Sequence, residues 1–126
     1  MDDVLKLAAR LLLAALFVAG ALQKTLQPET VTALLAGMGW PQLLVWPALA
    51  LNASGAVALI LGVQVRPVAL VLAVYCAVTS VFHLIPGDGW QMSIFVKNWA
   101  IAGGLLALAV AGPGRFALRR GAAGGA

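Results

Sequence analysis

Four apolar runs, each of about 19–22 residues, occupy most of the chain: residues 4–22, 42–63, 67–85 and 91–111. About 20 helical residues cross a hydrocarbon layer ~30 Å thick, so each run has the length of a membrane span. The other spanning structure, a barrel, needs ~10-residue segments of alternating polarity, and the chain has none. Composition closes off the soluble alternative: 63% of residues are hydrophobic and 10% charged, where soluble domains carry about 25% charged residues. A small domain buries only about 60–70% of the surface of its unfolded chain, so that much apolar surface needs lipid as its solvent. The net charge of +4 arises from few, scattered charges and the single cysteine allows no internal bridge, which excludes a nucleic-acid binder and a disulfide scaffold. The expectation is an all-α integral membrane four-helix bundle, one domain over residues 1–126, with the bilayer as its principal partner.

The connections between runs differ in kind. Gln64-Val65-Arg66-Pro67 reads as a tight turn, with Pro67 in the first turn of the next helix. Ile85-Pro86-Gly87-Asp88-Gly89 is a short loop of helix breakers. Residues 23–41 are longer, and Pro28-Glu29-Thr30 followed by Val31, Leu34, Leu35 and Met38 predicts a short amphipathic helix lying at the interface. Residues 112–126, opening with Gly112-Pro113-Gly114, read as a helix stop and a flexible tail. Trp40, Trp46 and Trp90 fall at span ends on one side, as an aromatic belt does. Lys6, Arg10, Arg66, Arg115, Arg119 and Arg120 share the other side, against only Lys24 and Lys97. The positive-inside rule then predicts a multi-pass inner-membrane protein with both termini cytoplasmic. A rival reading takes Lys6, Arg10, Leu11–Val18 and Ala19-Gly20-Ala21 as a cleaved secretory signal.

Polar residues inside the runs carry the functional information, because a charge near a span centre costs ~2.5–3.5 kcal/mol on insertion scales. Arg10 and Lys24 lie 14 residues apart, about 21 Å along one helix axis, and so cannot share a site. The simplest reading has each snorkel to its own interface; a bundle contact is the other. Asn52, about 15 Å below the outer end of its run, is expected to hydrogen-bond a neighbouring helix, with Ser54 and Ala58 or Gly55 and Gly62 as close-packing surfaces. Arg66 is grouped with Arg10 and Asn52 as a polar contact of the bundle. Tyr75, Thr79 and His83 repeat every fourth residue, and His83 lies near the outer end. One His and one Cys make no metal set, so no metal is expected.

Lys97-Asn98 is the most unusual pair, about 9 Å inside its run, with the two side chains ~100° apart around the helix. Lys24, His83, Lys97 and Asn98 all belong to the outer half of the bundle. One reading makes them a site for an amphipathic anionic or carbonyl-bearing ligand such as a quinone headgroup, with the amphipathic helix as a lid. The other makes them a hydrogen-bond network that only stabilises the bundle.

Arg10 with Gly20 and Lys24, Gly55 with Leu61-Gly62 leading to Arg66, Phe82-His83, and Phe95-Val96-Lys97-Asn98-Trp99-Ala100 with Gly103-Gly104 follow one another in an order that resembles the DoxX family of small bacterial and archaeal membrane proteins. Members often carry a glutamate where this chain has Asn52. The resemblance implies a four-helix membrane bundle. More loosely it implies membrane redox chemistry, since the name-giving member resembles a small subunit of a thiosulfate–quinone oxidoreductase. A bound quinone and an oxidoreductase subunit are the ligand and partner it implies. The residues set a limit on this: there is no cysteine pair, no histidine pair, no dinucleotide glycine loop and no iron–sulfur spacing. The chain is therefore expected to lack an intrinsic cofactor and to act as a quinone-site or membrane subunit and not as a catalyst alone. A small lipophile-binding or transport protein and an anchor subunit are the competitors. Glycine-bearing helix faces are compatible with a homo-oligomer.

Overall fold

The computed structural model describes residues 1–84 and 87–117. Five α-helices follow in order: α1 (Asp2–Leu26), α2 (Pro28–Gly37), α3 (Val45–Leu61), α4 (Val65–Thr79) and α5 (Gly89–Ala111). A 3₁₀ turn over Gln42–Leu44 leads into α3, and another over Ser80–His83 prolongs α4. No β-strand occurs among the described residues. With their 3₁₀ turns, α1, α3, α4 and α5 are each long and apolar enough to cross a membrane. Their outward faces stay apolar, with Leu12 at 75%, Val74 at 63% and Val110 at 81% exposure, as lipid-facing surface requires.

Local chemistry explains the boundaries. α1 begins with Asp2 and Asp3 in its first turn and carries Lys24 in its last, charges that suit the two ends of the helix dipole. It stops at Gln27 (φ −138°, ψ 63°), because Pro28 drives the preceding residue out of the helical region. Pro28 then opens α2, the short amphipathic helix that the sequence predicts. Pro47 and Pro67 both stand at the third position of their helices, where the missing N–H has no intrahelical acceptor anyway. For this reason α4 starts at Val65, two residues earlier than its apolar run. Gly62, at φ 78°, ends α3 in the left-handed conformation, and the Gly62 and Val63 amides both donate to the Ala58 carbonyl at 2.8 and 2.9 Å. Asp88 caps α5, its carboxylate accepting from the Trp90 amide at 3.0 Å and the Gln91 amide at 3.2 Å.

α1 lies along α3 and α4 along α5. The core they share contains Ala14 and Phe17 of α1, Ala56 and Leu59 of α3, Ala69, Leu72 and Cys76 of α4, and Leu105 and Leu108 of α5. All but Phe17 and Cys76 lie toward the end of the bundle that holds the N-terminus, the α3–α4 turn and the close of α5; those two stand nearer the middle and the opposite end. Gly55 permits tight packing there, since a Cβ at this position would stand 3.0 Å from both methyls of Leu72. Ser54 faces the other way and is exposed, its hydroxyl returning to the Leu51 carbonyl.

Arg10 cross-ties this end. Its guanidinium is 1% exposed and donates from Nε to Leu59 O (2.9 Å), from one terminal nitrogen to Pro113 O (2.9 Å) and Phe116 O (2.6 Å), and from the other to Ile60 O (3.0 Å). Leu59 and Ile60 belong to the last turn of α3, whose carbonyls lack intrahelical partners and form the negative end of the helix dipole. This corrects the snorkelling reading: four carbonyls within reach outbid the interface. It also corrects the view of the whole stretch from Gly112 as a loose tail, because Pro113 is fully buried and the Arg115 amide donates to Asp3 at 3.1 Å. The remainder of that predicted tail, 118–126, and the loop residues 85–86 lie outside the described residues.

Candidate functional site

The opposite end of the bundle is hollow. A cavity of about 540 Å³ lies between the C-terminal parts of α1 and α4 and the N-terminal parts of α3 and α5, flanked by α2 and by Trp40. Most of its wall is apolar, formed by residues such as Leu16, Leu35, Leu51 and Ile94. Trp40 meets Phe82 edge-on, ring centroids 5.1 Å apart, so this aromatic pair joins the α2–α3 connection to the end of α4 at the cavity's rim.

Lys24 and Asn52 form the polar centre. Lys24 is 8% and Asn52 3% exposed. Lys24 Nζ donates to Asn52 Oδ1 at 3.3 Å, and the Tyr75 hydroxyl donates to the same oxygen at 3.1 Å. An ammonium has only donors, so the amide must turn its oxygen toward it, and two donors fill that oxygen's two lone pairs. The amide nitrogen is left facing α1, where Gly20 makes room for it: a Cβ there would approach Asn52 Nδ2 to 3.2 Å. Three helices meet in this one carboxamide.

Helix direction explains why Lys24 turns inward. Side chains lean toward the N-terminus of their own helix. Lys24, near the C-terminal end of α1, therefore leans back into the bundle, and Asn52 on the antiparallel α3 leans up to meet it. The separate treatment of Lys24 at an interface and Asn52 near the midplane is thus replaced by direct contact.

His83, half-buried, pairs its Nδ1 with Gln91 Oε1 at 2.6 Å. A carbonyl oxygen only accepts, so this contact requires a proton on Nδ1. Lys97 is exposed and Asn98 half-buried, on adjacent faces of α5, and both border the cavity. The structure accordingly places Lys24, His83, Lys97 and Asn98 around one space, together with Asn52. Arg10 stands apart at the packed end. Arg66 lies in the first turn of α4, its Nε buried and without a hydrogen-bond partner among the described residues. Tyr75 and Gln91 were not singled out as site residues from sequence. The four-residue repeat of Tyr75, Thr79 and His83 was the available signal for the first, and nothing local marked the second. Thr79, in that stripe, spends its hydroxyl on the Tyr75 carbonyl at 2.8 Å.

No carboxylate lines the cavity: the acidic residues Asp2, Asp3, Glu29 and Asp88 all lie elsewhere. No group of three or more His, Cys, Asp or Glu suited to a metal occurs among the described residues. Chemically, the site offers an ammonium and amide donors at the bottom of an apolar, partly aromatic space.

Four apolar spanning helices, closed at one end and hollow at the other, define a multi-pass helical membrane protein. Residues 5–84 match the DoxX family model, and the chain belongs to the DoxX family. It is 31% identical over 121 residues to inner membrane protein YqjF of Escherichia coli (strain K12), covering 95% of this chain and 93% of that protein. Inner membrane protein YphA of the same organism is 31% identical over 125 residues, covering 93% and 89% respectively. No solved structure matches.

Proposed function

We propose that this DoxX protein is an inner-membrane, quinone-site subunit of a redox system, with both termini in the cytoplasm and the cavity in the outer half of the bilayer. The observation that carries the reading is Lys24: a buried ammonium, bonded to one neutral amide oxygen, at the floor of a cavity of about 540 Å³. A buried donor set of this kind calls for an acceptor from the ligand. A quinone carbonyl is such an acceptor, and its flat ring and apolar tail suit a wall that includes Trp40, Phe82 and Tyr75.

Each residue then has a defined task. Lys24 binds the carbonyl, Tyr75 and Asn52 hold the ammonium in place, and Asn98 supplies a second amide at the wall. The apolar lining excludes water, and α2 with Trp40 flanks the entrance. When bound, a quinone supplies two-electron redox chemistry, for which a partner oxidoreductase subunit is the electron source. The orientation rests on the six-to-two distribution of Lys and Arg, and the choice of the inner membrane on the E. coli relatives.

The test is organic extraction of protein purified in mild detergent, with chromatography of the extract. Near-stoichiometric quinone is expected in wild type and little in Lys24→Met. Ala48→Phe fills the cavity while leaving the Lys24–Asn52–Tyr75 contacts in place, and it too should lose quinone. Wild-type protein free of quinone, or an Ala48→Phe variant that retains it, overturns the reading. One observation favours a second reading, an anchor subunit: the same three residues tie α1, α3 and α4 together. In that case Lys24→Met unfolds the bundle and Ala48→Phe leaves partner binding intact.

A further inference from the structure

We propose that the cavity selects an anion: an amphiphile whose headgroup carries an ionised oxygen, enolate, phenolate or carboxylate, in preference to its neutral counterpart. This deepens, and rests on, the reading of the cavity as the ligand site.

The argument starts from a comparison within the molecule. The chain buries two cations, Arg10 at 1% and Lys24 at 8% exposure. Arg10 is fully provided for, with four carbonyl acceptors, two of them at the negative end of α3. Lys24 has one acceptor, Asn52 Oδ1, at the longer distance of 3.3 Å. Of its three ammonium protons that bond occupies one, and the other two have no acceptor among the described residues. The last turn of α1, where Lys24 sits, adds a partial negative charge and no more.

The surroundings reinforce the imbalance. Asn52 Oδ1 is already shared with Tyr75 and cannot take a further donor. Lys97 adds a second ammonium to the same wall, and no Asp or Glu faces either one. Buried cations in membrane proteins pair with opposite charge or with main-chain carbonyls, as Arg10 does, or mark a ligand path. For Lys24 the described residues supply neither an opposite charge nor a main-chain carbonyl, so the ligand supplies the acceptor. An ionised oxygen accepts from Lys24 through a shorter, stronger bond than a neutral carbonyl, and its charge is held in a medium where that attraction is little screened. The apolar wall takes the remainder of the molecule.

The experiment is isothermal titration of the full chain in detergent micelles, with empty micelles as blank. Three probes are used: a long-chain alkyl hydroxynaphthoquinone ionised at neutral pH, its neutral methyl ether, and dodecanoate. The ionised quinone is expected to bind about tenfold or more tightly than the ether. That preference should vanish in Lys24→Met and shrink in Lys97→Gln, whose exposed position makes it safe for folding. Tight dodecanoate binding supports the anion site while removing the quinone as its occupant. Equal binding of ionised quinone and ether overturns the inference and leaves the quinone reading standing. No binding of any probe overturns both.

Discussion

Replacing Arg10 by methionine keeps an unbranched apolar stem and deletes four donated hydrogen bonds at once. The bonds to Leu59 and Pro113 are buried, and those to Ile60 and Phe116 are partly so. A buried acceptor left without a partner costs ~1–3 kcal/mol, so the buried pair alone sets a loss of about 2–6 kcal/mol. The two half-buried carbonyls rehydrate cheaply. Part of the loss is returned because methionine no longer holds a charge away from water, giving a net destabilisation of about 2–4 kcal/mol. Arg10→Lys should fall between the two, since a compact ammonium replaces a planar fork aimed at several acceptors. Unfolding in mixed micelles of increasing dodecyl sulfate content, followed by far-ultraviolet circular dichroism, measures the difference. Trypsin adds a local readout: cleavage after Arg115 should accelerate in Arg10→Met, because Pro113 and Phe116 lose their tether. A methionine variant within ~0.5 kcal/mol of wild type, a change typical of neutral surface sites, with unchanged cleavage, would refute the reasoning.

Other positions give sharp expectations. Gly62→Ala forces a side chain into φ 78° and brings its Cβ to 2.6 Å from the Ala117 Cβ. The left-handed conformation alone costs about 1–2 kcal/mol and the clash adds to it, so a loss no larger than that in the same unfolding assay would contradict the packing of residue 117 on the α3–α4 turn. Asp88→Ala removes the cap of α5 and should cost ~1 kcal/mol, whereas Asp88→Asn, also a good cap, should be nearly neutral. Equal losses for the two would exclude capping as the role of Asp88. Cys76 is 3% exposed, so a bulky maleimide should label the native protein slowly and the unfolded protein fast. Rapid native labelling would contradict the packing around α4.

The four spanning helices were legible because lipid imposes one simple requirement, a long apolar stretch, on every segment that crosses it. α2 was legible from Pro28 and the spacing of Val31, Leu34 and Leu35. The helix ends were less so: Pro67 stands in the first turn, as expected, but the helix begins two residues before its apolar run, and the 3₁₀ turns at Gln42–Leu44 and Ser80–His83 blur the limits of α3 and α4. For Arg10 the sequence left snorkelling and a bundle contact both open, because its partners are main-chain carbonyls, which leave no mark in a sequence. Lys24 and Asn52 were placed at different depths because helical rise counts Cα positions and ignores the lean of side chains on antiparallel helices. The gathering of Lys24, His83, Lys97 and Asn98 was foreseeable from topology alone, since all four stand toward the same ends of their helices. What occupies the space among them is written in chemistry and not in spacing.

The contrast between the two ends of the bundle has a mechanical consequence. Leu59, Leu72 and Leu105 are wholly buried at one end, with Arg10 roped across it, and the cavity lies entirely at the other. If the cavity is the ligand site proposed above, the packed end offers a ligand no path through the bundle, so a single copy would exchange it only on the cavity's side of the membrane. A protein that delivered such a ligand or collected it would have to meet the bundle on that face.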